Sequence, residues 1–254
     1  ESIRTRLESN RACDVVVDDL DGDMLDDIVL CQNHTSESFT ADSLIYRGAR
    51  DRELTNPTTI SAEDPRRVFI IKVPERERPD LLFINHYSRK IFEVNPTIFY
   101  GGVDGFSPER SEDVFGVGST EAICCDLNDD GLVDLVLANS SHNCVNRDPG
   151  SFVYLAGPEG FPKEPSISLP TTRCHGAAAG DVNRDGYLDL VFTGYSNPDI
   201  LIYHGGPNGF DADNVQRIRM EHEGSLYDYC FWPYLVDLNN DGWLDLVVPQ
   251  GDGA

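Results

Sequence analysis

The sequence predicts an all-β protein built from repeated four-stranded antiparallel units, and three observations support this fold class. An aspartate that opens an apolar stretch recurs at intervals of 53, 54, 55 and 56 residues, at Asp27, Asp80, Asp134, Asp189 and Asp245. Glycine-rich turns separate the short apolar runs, as they do between antiparallel strands. No stretch of useful length shows the 3.6-residue periodicity of an amphipathic helix, so we expect very little helix.

Each repeat has the same order of predicted strands. A first strand such as CDVVVDDL precedes the recurring aspartate, and a second strand such as DIVLCQN begins at it. Most repeats continue with an aromatic third strand and a glycine-rich turn, as in ILIYHGGPNGF, and with a more polar fourth strand such as TTISAE. Four short strands at a fixed period are typical of a β-propeller blade. We predict about five blades in residues 1–254, with the last one incomplete.

Four of the repeats contain a loop with an oxygen-bearing side chain at every second position. In DVNRDGYLDL these are Asp181, Asn183 and Asp185, followed by Gly186 and closed by Asp189. The related strings DLDGDMLDDI, DLNDDGLVDL and DLNNDGWLDL begin at Asp19, Asp126 and Asp237. Calcium takes six to eight oxygen ligands at short range, and such a loop supplies them. The loops therefore predict calcium sites.

The loop pattern has two other possible interpretations. An EF-hand needs a glutamate at the twelfth loop position and a flanking helix on each side. The twelfth positions of the four loops are Leu30, Leu137, Phe192 and Val248, and the segments on both sides resemble strands, so the loops are not EF-hands. A turn without metal is the other interpretation, since Asp, Asn and Gly favour turns by themselves. Four copies with the same spacing favour metal.

Together with the YGGVDGF, LAGPEGF and HGGPNGF turns, the loops resemble the FG-GAP or VCBS repeats of integrin α-subunit propellers and related bacterial secreted proteins. The resemblance covers nearly the whole chain. It implies either a single propeller domain over 1–254 or a part of a propeller that usually has seven blades. It also implies about four calcium ions. The ligands that it implies are the side chains of Asp19, Asp21, Asp23 and Asp27; Asp126, Asn128, Asp130 and Asp134; Asp181, Asn183, Asp185 and Asp189; Asp237, Asn239, Asp241 and Asp245; and the carbonyls of Leu25, Leu132, Tyr187 and Trp243.

Two repeats depart from the pattern. The first loop has Met24 where the other loops have glycine, so we expect a strained or altered turn there. The second repeat has Lys72, Pro74 and Arg76 at the three opening ligand positions. We expect no metal in that repeat, and a cation from Lys72 or Arg76 near Asp80 instead.

The composition narrows the location and the partners. A net charge of −24 disfavours nucleic acid, because few groups could neutralise phosphates. About four bound divalent ions would reduce the charge to roughly −16, which still disfavours anionic membrane surfaces. No apolar run approaches the ~20 residues of a membrane span, so we expect no membrane insertion. No basic-then-apolar signal opens the chain, which indicates a mature form or an internal fragment.

Calcium loops, seven cysteines and the sequons at Asn33 and Asn139 together predict a secreted or cell-surface glycoprotein with disulfides. The candidate disulfide pairs are Cys13 with Cys31 and Cys144 with Cys174. The adjacent Cys124 and Cys125 are predicted to be small core residues.

Blade topology places the metal loops on one face and five of the six histidines near the other: His34, His86, His142, His175 and His222. These histidines are solvated loop residues or parts of a binding surface, and loops on a rigid scaffold often carry function. We find no catalytic constellation such as a nucleophile elbow, HExxH or paired CxxC. We therefore expect a non-catalytic binding or adhesion module for protein or glycan. The alternatives are a self-associating structural subunit of an extracellular assembly or fibre, and a polysaccharide-acting lyase or hydrolase.

Overall fold

A computed structural model describes residues 6–50, 54, 56–74, 76–86, 94–140, 148–195, 197–220 and 228–252, with residues 228–230 and 250–252 described by their backbone alone. The described residues form 20 strands and one three-residue 3-10 turn, Pro108–Arg110. The prediction of an all-β fold with very little helix is confirmed. The chain divides into two compact units, 1–114 and 115–254. The expectation of a single propeller domain stays a prediction.

The first unit contains two four-stranded antiparallel sheets, each in simple sequential order. The strands of the first sheet are β1 (Ala12–Asp18), β2 (Asp27–Gln32), β3 (Thr40–Tyr46) and β4 (Thr58–Glu63). Those of the second sheet are β5 (Pro65–Ile71), β6 (Asp80–Asn85), β7 (Thr97–Phe99) and β8 (Ser111–Asp113). Both sheets have the strand order expected of a propeller blade.

The second unit contains two more four-stranded antiparallel sheets and two short pairs. The first sheet comprises β9 (Ser119–Cys125), β10 (Asp134–Asn139), β11 (Ser151–Tyr154) and β12 (Ile167–Leu169). The second comprises β13 (Cys174–Gly180), β14 (Asp189–Gly194), β15 (Asn197–Tyr203) and β16 (Val215–Arg219). The final residues form β17 (Asp228–Cys230), β18 (Tyr234–Val236), β19 (Asp245–Val247) and β20 (Gln250–Asp252), in which β18 pairs with β19 and β17 with β20.

Each of the five recurring aspartates is the first residue of the second strand in its repeat. Three of these second strands, β6, β10 and β14, are buried at every position. A strand that is buried on both faces has a continuous run of apolar residues. The sequences DLLFIN, DLVLAN and DLVFTG therefore show little alternation of polar and apolar residues. Side chains of the second strands contribute to the core of each unit, with Val29, Leu81 and Phe83 in the first and Val136, Leu190 and Phe192 in the second.

A β-bulge lies near the start of the first strand in each of the four complete sheets. The residue before the strand has a positive φ, as at Asp64 (46°) and Arg173 (45°), and the register then shifts by one residue. Bulges of this kind re-aim side chains at strand ends. The Thr120 hydroxyl, at such a bulge, donates to the Cys174 carbonyl of the neighbouring sheet at 2.9 Å. The bulges lie at the strand ends opposite the predicted metal loops.

Candidate metal-binding loops and the opposite strand ends

The three glycine-containing loops, 126–134, 181–189 and 237–245, share one hydrogen-bond pattern. In the 181–189 loop, Asp181 Oδ1 accepts from the Asp185 amide at 3.2 Å and Asp181 Oδ2 from the Gly186 amide at 3.0 Å. Asp185 Oδ1 accepts from the Tyr187 amide at 2.9 Å. The same bonds, within 0.2 Å, recur in the 126–134 and 237–245 loops. The backbone therefore folds each loop around its own carboxylates.

The closing aspartate joins each loop to the glycine-rich turn after the third strand. Asp189 Oδ2 accepts from the Val182 amide at 2.9 Å, and Asp189 Oδ1 accepts from the Gly205 amide at 2.9 Å. Equivalent pairs of bonds join Asp134 to Leu127 and Ala156, and Asp27 to Leu20 and Gly48. Asp27, Asp134 and Asp189 are at most 1% exposed. Burial raises the pKa of Asp134, the backbone amides of Ala156 and Leu127 lower it, and the nearby Asp130 and Asp126 raise it.

The first loop keeps this conformation with its glycine in a different place. Positions four and six of every loop have positive φ; in the 181–189 loop they are Arg184 (60°) and Gly186 (90°). In the first loop they are Gly22 (79°) and Met24 (67°), so the strained residue is a methionine. The predicted strain is present, and the turn itself is preserved.

In the first loop, carboxylate oxygens lie close together beside the Arg47 guanidinium. Ligand atoms of Asp19, Asp21 and Asp27 lie within 4.8 Å of one another, and this is the one such acidic, histidine or cysteine group among the described residues. Asp21 Oδ1 is buried and has no hydrogen-bond partner there. Arg47 Nη1 lies 2.7 Å from Asp27 Oδ2 and 3.4 Å from Asp21 Oδ2. The donor set consists of oxygen alone and fits a hard cation, and Arg47 already supplies positive charge.

The amide of Met24 lowers the pKa of Asp19 most, followed by other backbone amides of the loop. Asp23 Oδ1 accepts from the Leu25 amide at 2.8 Å, as the fifth-position aspartates do in the other loops. The roles of the seventh-position carbonyls as ligands stay predictions.

The second repeat contains a cation at the place where we expected one. Arg76 Nη1 donates to Asp80 Oδ2 at 2.6 Å, while the Gly101 amide donates to Asp80 Oδ1 at 2.9 Å. The guanidinium also lies over the Tyr100 ring at 5.3 Å. Lys72 instead forms an ion pair with Asp18. Arg76 thus takes the place that a loop amide has in the other repeats.

One position near the loops was missed by the sequence analysis. This position directly follows the third strand, and in three repeats it is Arg47, Tyr100 or His204. Arg47 and His204 lie beside the closing aspartates Asp27 and Asp189, and Tyr100 lies beside Arg76, the cation that binds Asp80. His204 Nδ1 is 3.2 Å from Asp189 Oδ1. The only sequence signal is its place just before the glycine-rich turn.

At the opposite strand ends, the histidines differ in their surroundings. His34 Nδ1 is hydrogen-bonded to Asp64 Oδ1, and Asp64 is fully buried and also lies 3.4 Å from Arg66 Nε. His86 is 4% exposed and belongs to the core. His142 and His222 lie outside the described residues. These histidines therefore do not share a single role.

An aromatic and cationic cluster surrounds His175, and we refer to Arg173, His175, Tyr195, Phe231 and Trp232 as the rim cluster. The Arg173 guanidinium lies 4.5 Å from the Tyr195 ring centroid, and the His175 ring stacks on Tyr195 at 5.3 Å. Phe231 lies 6.0 Å from His175 and 5.3 Å from Trp232, which is 42% exposed. The sequence analysis singled out His175 and missed the other four residues.

Cys13, Cys31, Cys124, Cys125 and Cys174 are free thiols. Cys13 Sγ and Cys31 Sγ are 3.7 Å apart, close enough to make this the better supported of the two tentative pairs. Cys144 lies outside the described residues, so its pairing with Cys174 stays a prediction. Cys124 and Cys125 are only partly buried, and Cys125 packs against the core of the second unit, so the prediction that both are core residues is met in part. Burial raises the pKa of Cys124 to about 12 and that of Cys125 to about 11.

The two sequons differ in accessibility. Asn139 is 1% exposed, and its Nδ2 donates to the Gly150 carbonyl at 3.0 Å, which is incompatible with a glycan on that nitrogen in the folded state. Asn33 is partly exposed, and its glycosylation stays a prediction.

No helix among the described residues is long and apolar enough to cross a bilayer.

Comparisons with known proteins bear on the family. A model of the FG-GAP-like repeat matches residues 126–192 and 181–248. Integrin alpha-4 of Xenopus laevis is 23% identical over 193 residues, which are 69% of this chain and 17% of that protein. Integrin alpha-6 of Gallus gallus is 26% identical over 137 residues, which are 48% of this chain and 12% of that protein. The chain thus spans less than a fifth of either relative.

Among solved structures, the crystal structure of the V. cholerae biofilm matrix protein Bap1 superposes with a TM-score of 0.53 and 12% identity, covering 94% of this chain and 35% of that one. This likeness concerns the fold. The repeat matches, the integrin α relatives and the blade-type sheets agree: residues 126–248 match FG-GAP-like repeats, and the chain is similar to the FG-GAP repeat family of propeller proteins.

Proposed function

We propose that this chain is a non-catalytic, calcium-stabilised extracellular module for adhesion to a protein or glycan. Its FG-GAP repeats and its integrin α relatives support an adhesion-type role and an extracellular or surface location. The biofilm matrix protein with a similar fold is in keeping with this setting. The single observation that carries the binding role is the rim cluster, with an exposed Trp232 at the strand ends away from the loops.

Calcium would be held by the alternating oxygens of the four loops and would supply positive charge between their carboxylates. The buried, unpartnered Asp21 Oδ1 and the all-oxygen donor sets support this part of the proposal. Because the closing aspartate already joins the loop to the glycine-rich turn, an ion bound beside it would strengthen a structural connection. Calcium would therefore stabilise the blades, and ligand contacts would lie elsewhere.

The rim cluster suits a glycan or a peptide. Aromatic faces pack on sugar rings or on apolar side chains, and Arg173 adds hydrogen-bond donors. The Arg173 side chain is already oriented by the Tyr195 ring at 4.5 Å, so binding would order few side-chain rotamers.

The test combines calcium titration with a binding screen. Isothermal titration calorimetry on protein treated with EDTA should show calcium binding, with a thermal midpoint that rises with calcium concentration. A glycan array and a set of extracellular matrix proteins, probed with wild type and with Trp232→Ala, should reveal a ligand whose binding the substitution weakens. No calcium binding would overturn the calcium part, and a ligand bound equally by Trp232→Ala would overturn the rim-cluster part.

Exposed apolar strand faces favour a second candidate, a structural subunit of an extracellular assembly. In the first unit, Val15 and Val17 on β1 are 52% and 54% exposed, although Val68 at the same position of β5 is 1% exposed. In the second unit, Tyr234 and Val236 are 56% and 41% exposed. Sedimentation velocity should detect concentration-dependent association if copies cover these faces, and Val15→Lys should reduce it. A protein that stays monomeric at every concentration would rule this candidate out.

A further inference from the structure

A hollow of about 400 Å³ lies in the first unit, among the outer strands of its two sheets. Its lining includes Ser61 and Glu63 of β4, Thr97 of β7 and Asp113 of β8. Asn85, the last residue of β6, also lines it. The volume is within the range of small-ligand sites. The hollow contains no predicted calcium ligand and no residue of the rim cluster.

The hollow is lined by a polar residue, Thr97, at a third-strand position that is apolar in the other complete sheets. Thr97 pairs across the sheet with Phe83, the fourth residue of its second strand. The residues at this place in the other three complete sheets are Leu44, Phe152 and Leu201. Phe152 and Leu201 are about 5% and 4% exposed and fill their sheets as core side chains. A threonine there leaves space and adds a hydroxyl.

A buried amide points to a missing hydrogen-bond donor. Asn85 is 3% exposed, and its Nδ2 donates to the Asn95 carbonyl and to Thr97 Oγ1, both at 2.9 Å. Its Oδ1 is buried and has no partner among the described residues. The corresponding Asn139 has no such deficit, because its Oδ1 accepts from the Ser119 hydroxyl at 2.8 Å. A buried acceptor without a donor destabilises the fold, and a ligand that donates a hydrogen bond to it would remove this penalty.

The remaining lining also accepts hydrogen bonds. The Thr97 hydroxyl donates a hydrogen bond to Asp113 Oδ1 at 2.8 Å, and the Ser61 hydroxyl donates to Asp42, so both hydroxyls are turned towards carboxylates. Glu63 adds another carboxylate, and the described lining residues include no lysine or arginine. The hollow therefore disfavours anions and suits a compact ligand with several donors.

We propose that this hollow binds one neutral sugar ring of a glycan, with ring hydroxyls donating to Asn85 Oδ1 and to the Asp113 and Glu63 carboxylates. A hydroxyl also accepts, so a sugar can pair with Ser61 or Thr97 while it donates to the acids. The inference deepens the proposed adhesion function by adding a sugar-binding site apart from the rim cluster. Both sites are tested by separate variants.

The test measures binding of D-glucose, D-galactose and D-mannose to the whole chain by saturation-transfer NMR in excess calcium. At least one sugar should bind, with a Kd on the order of 1 mM, because a single ring makes few contacts. Thr97→Leu installs the residue type of two other sheets and should weaken binding by at least about tenfold while keeping the fold. Asp113→Asn, at an exposed position, should weaken binding in the same direction.

Two controls locate the effect. Thr58→Leu, an exposed strand residue outside the hollow, and Trp232→Ala in the rim cluster should both leave sugar binding unchanged. Circular dichroism of every variant checks the fold. The proposal is overturned if no sugar binds, if Thr97→Leu and Asp113→Asn bind as the wild type does, or if Trp232→Ala alone removes binding. It is also overturned if the hollow binds ethylammonium and none of the sugars.

Discussion

Arg76 donates a hydrogen bond to the buried carboxylate of Asp80 at 2.6 Å, in the one repeat of five whose opening ligand positions carry no oxygen side chains. In the other complete repeats, a loop amide occupies the corresponding carboxylate oxygen. The recurring aspartate therefore needs a donor in every blade, and a side-chain cation can provide it. The closing aspartate therefore has a structural role even in the repeat that lacks the predicted metal ligands.

Replacing Arg76 by alanine should destabilise the first unit by about 2 kcal/mol, because the Asp80 carboxylate would lose a charged hydrogen bond in a buried place. Chemical denaturation in urea measures the change, and added calcium should not restore it. Arg219→Ala, which breaks an exposed pair with Asp199, is the control and should change stability by less than about 0.5 kcal/mol. Equal effects of the two substitutions would contradict a special role for Arg76.

The same variant should show a characteristic pH dependence. Burial raises the pKa of Asp80, and Arg76 opposes that rise. Without Arg76 the pKa should rise further, so the folded state would bind the proton more tightly than the unfolded chain. The penalty of Arg76→Ala should therefore be largest at neutral pH and shrink as the pH falls through the folded-state pKa. A penalty that grows on acidification would contradict this account.

Met24→Gly should stabilise the chain by about 1 kcal/mol, because a left-handed backbone is strained for a methionine. Met24 is 86% exposed, so little packing is lost. The matched reverse change is Gly186→Met, at the same loop position with a φ of 90° and nothing within 4 Å of an added Cβ. It should destabilise by a similar amount. Thermal melts in EDTA remove bound metal and so measure the backbone strain alone. The prediction requires that the melting temperature rise for Met24→Gly and fall for Gly186→Met.

Asp185→Ala tests whether calcium acts structurally. We expect a lower melting temperature in calcium and a smaller calcium-dependent rise, since one site at 100 times its Kd contributes about 2.7 kcal/mol. Asp213→Ala, an exposed aspartate outside the loops, should leave the calcium dependence unchanged. If Asp185→Ala abolished ligand binding while the calcium-dependent melting temperature stayed the same, the loop would be a ligand site.

Mild oxidation should join Cys13 to Cys31. Cys13 is exposed, its hydrogen bond with Cys31 lowers its pKa, and the two sulfurs are 3.7 Å apart. Diamide would accept the two hydrogens lost when the S–S bond forms. Peptide mapping should then find this disulfide, while the thiols of Cys124 and Cys174, whose pKa values burial raises to about 12, stay unmodified. Cys31→Ser should leave Cys13 open to iodoacetamide.

The recurring aspartates show what local sequence can specify. An aspartate at a loop end followed by an apolar run defines both the turn and the strand, and every one of the five begins its second strand in the structure. Loop conformation is equally local: the carboxylate of Asp181 bonds amides only four and five residues further along. Patterns of this range are readable because their partners are neighbours in the chain.

Tertiary structure decided what lies between distant segments. The contact of Arg47 with Asp27 spans 20 residues, and the rim cluster joins Arg173 to Tyr195 and His175 to Phe231 across separate strands. The hollow beside Asn85 exists because Thr97 is short where the other sheets have leucine or phenylalanine. The sequence by itself determined the repeat, the blade and the metal-type loops. Only packing decided which side chains meet, because strand order and bulges, rather than spacing along the chain, set those distances.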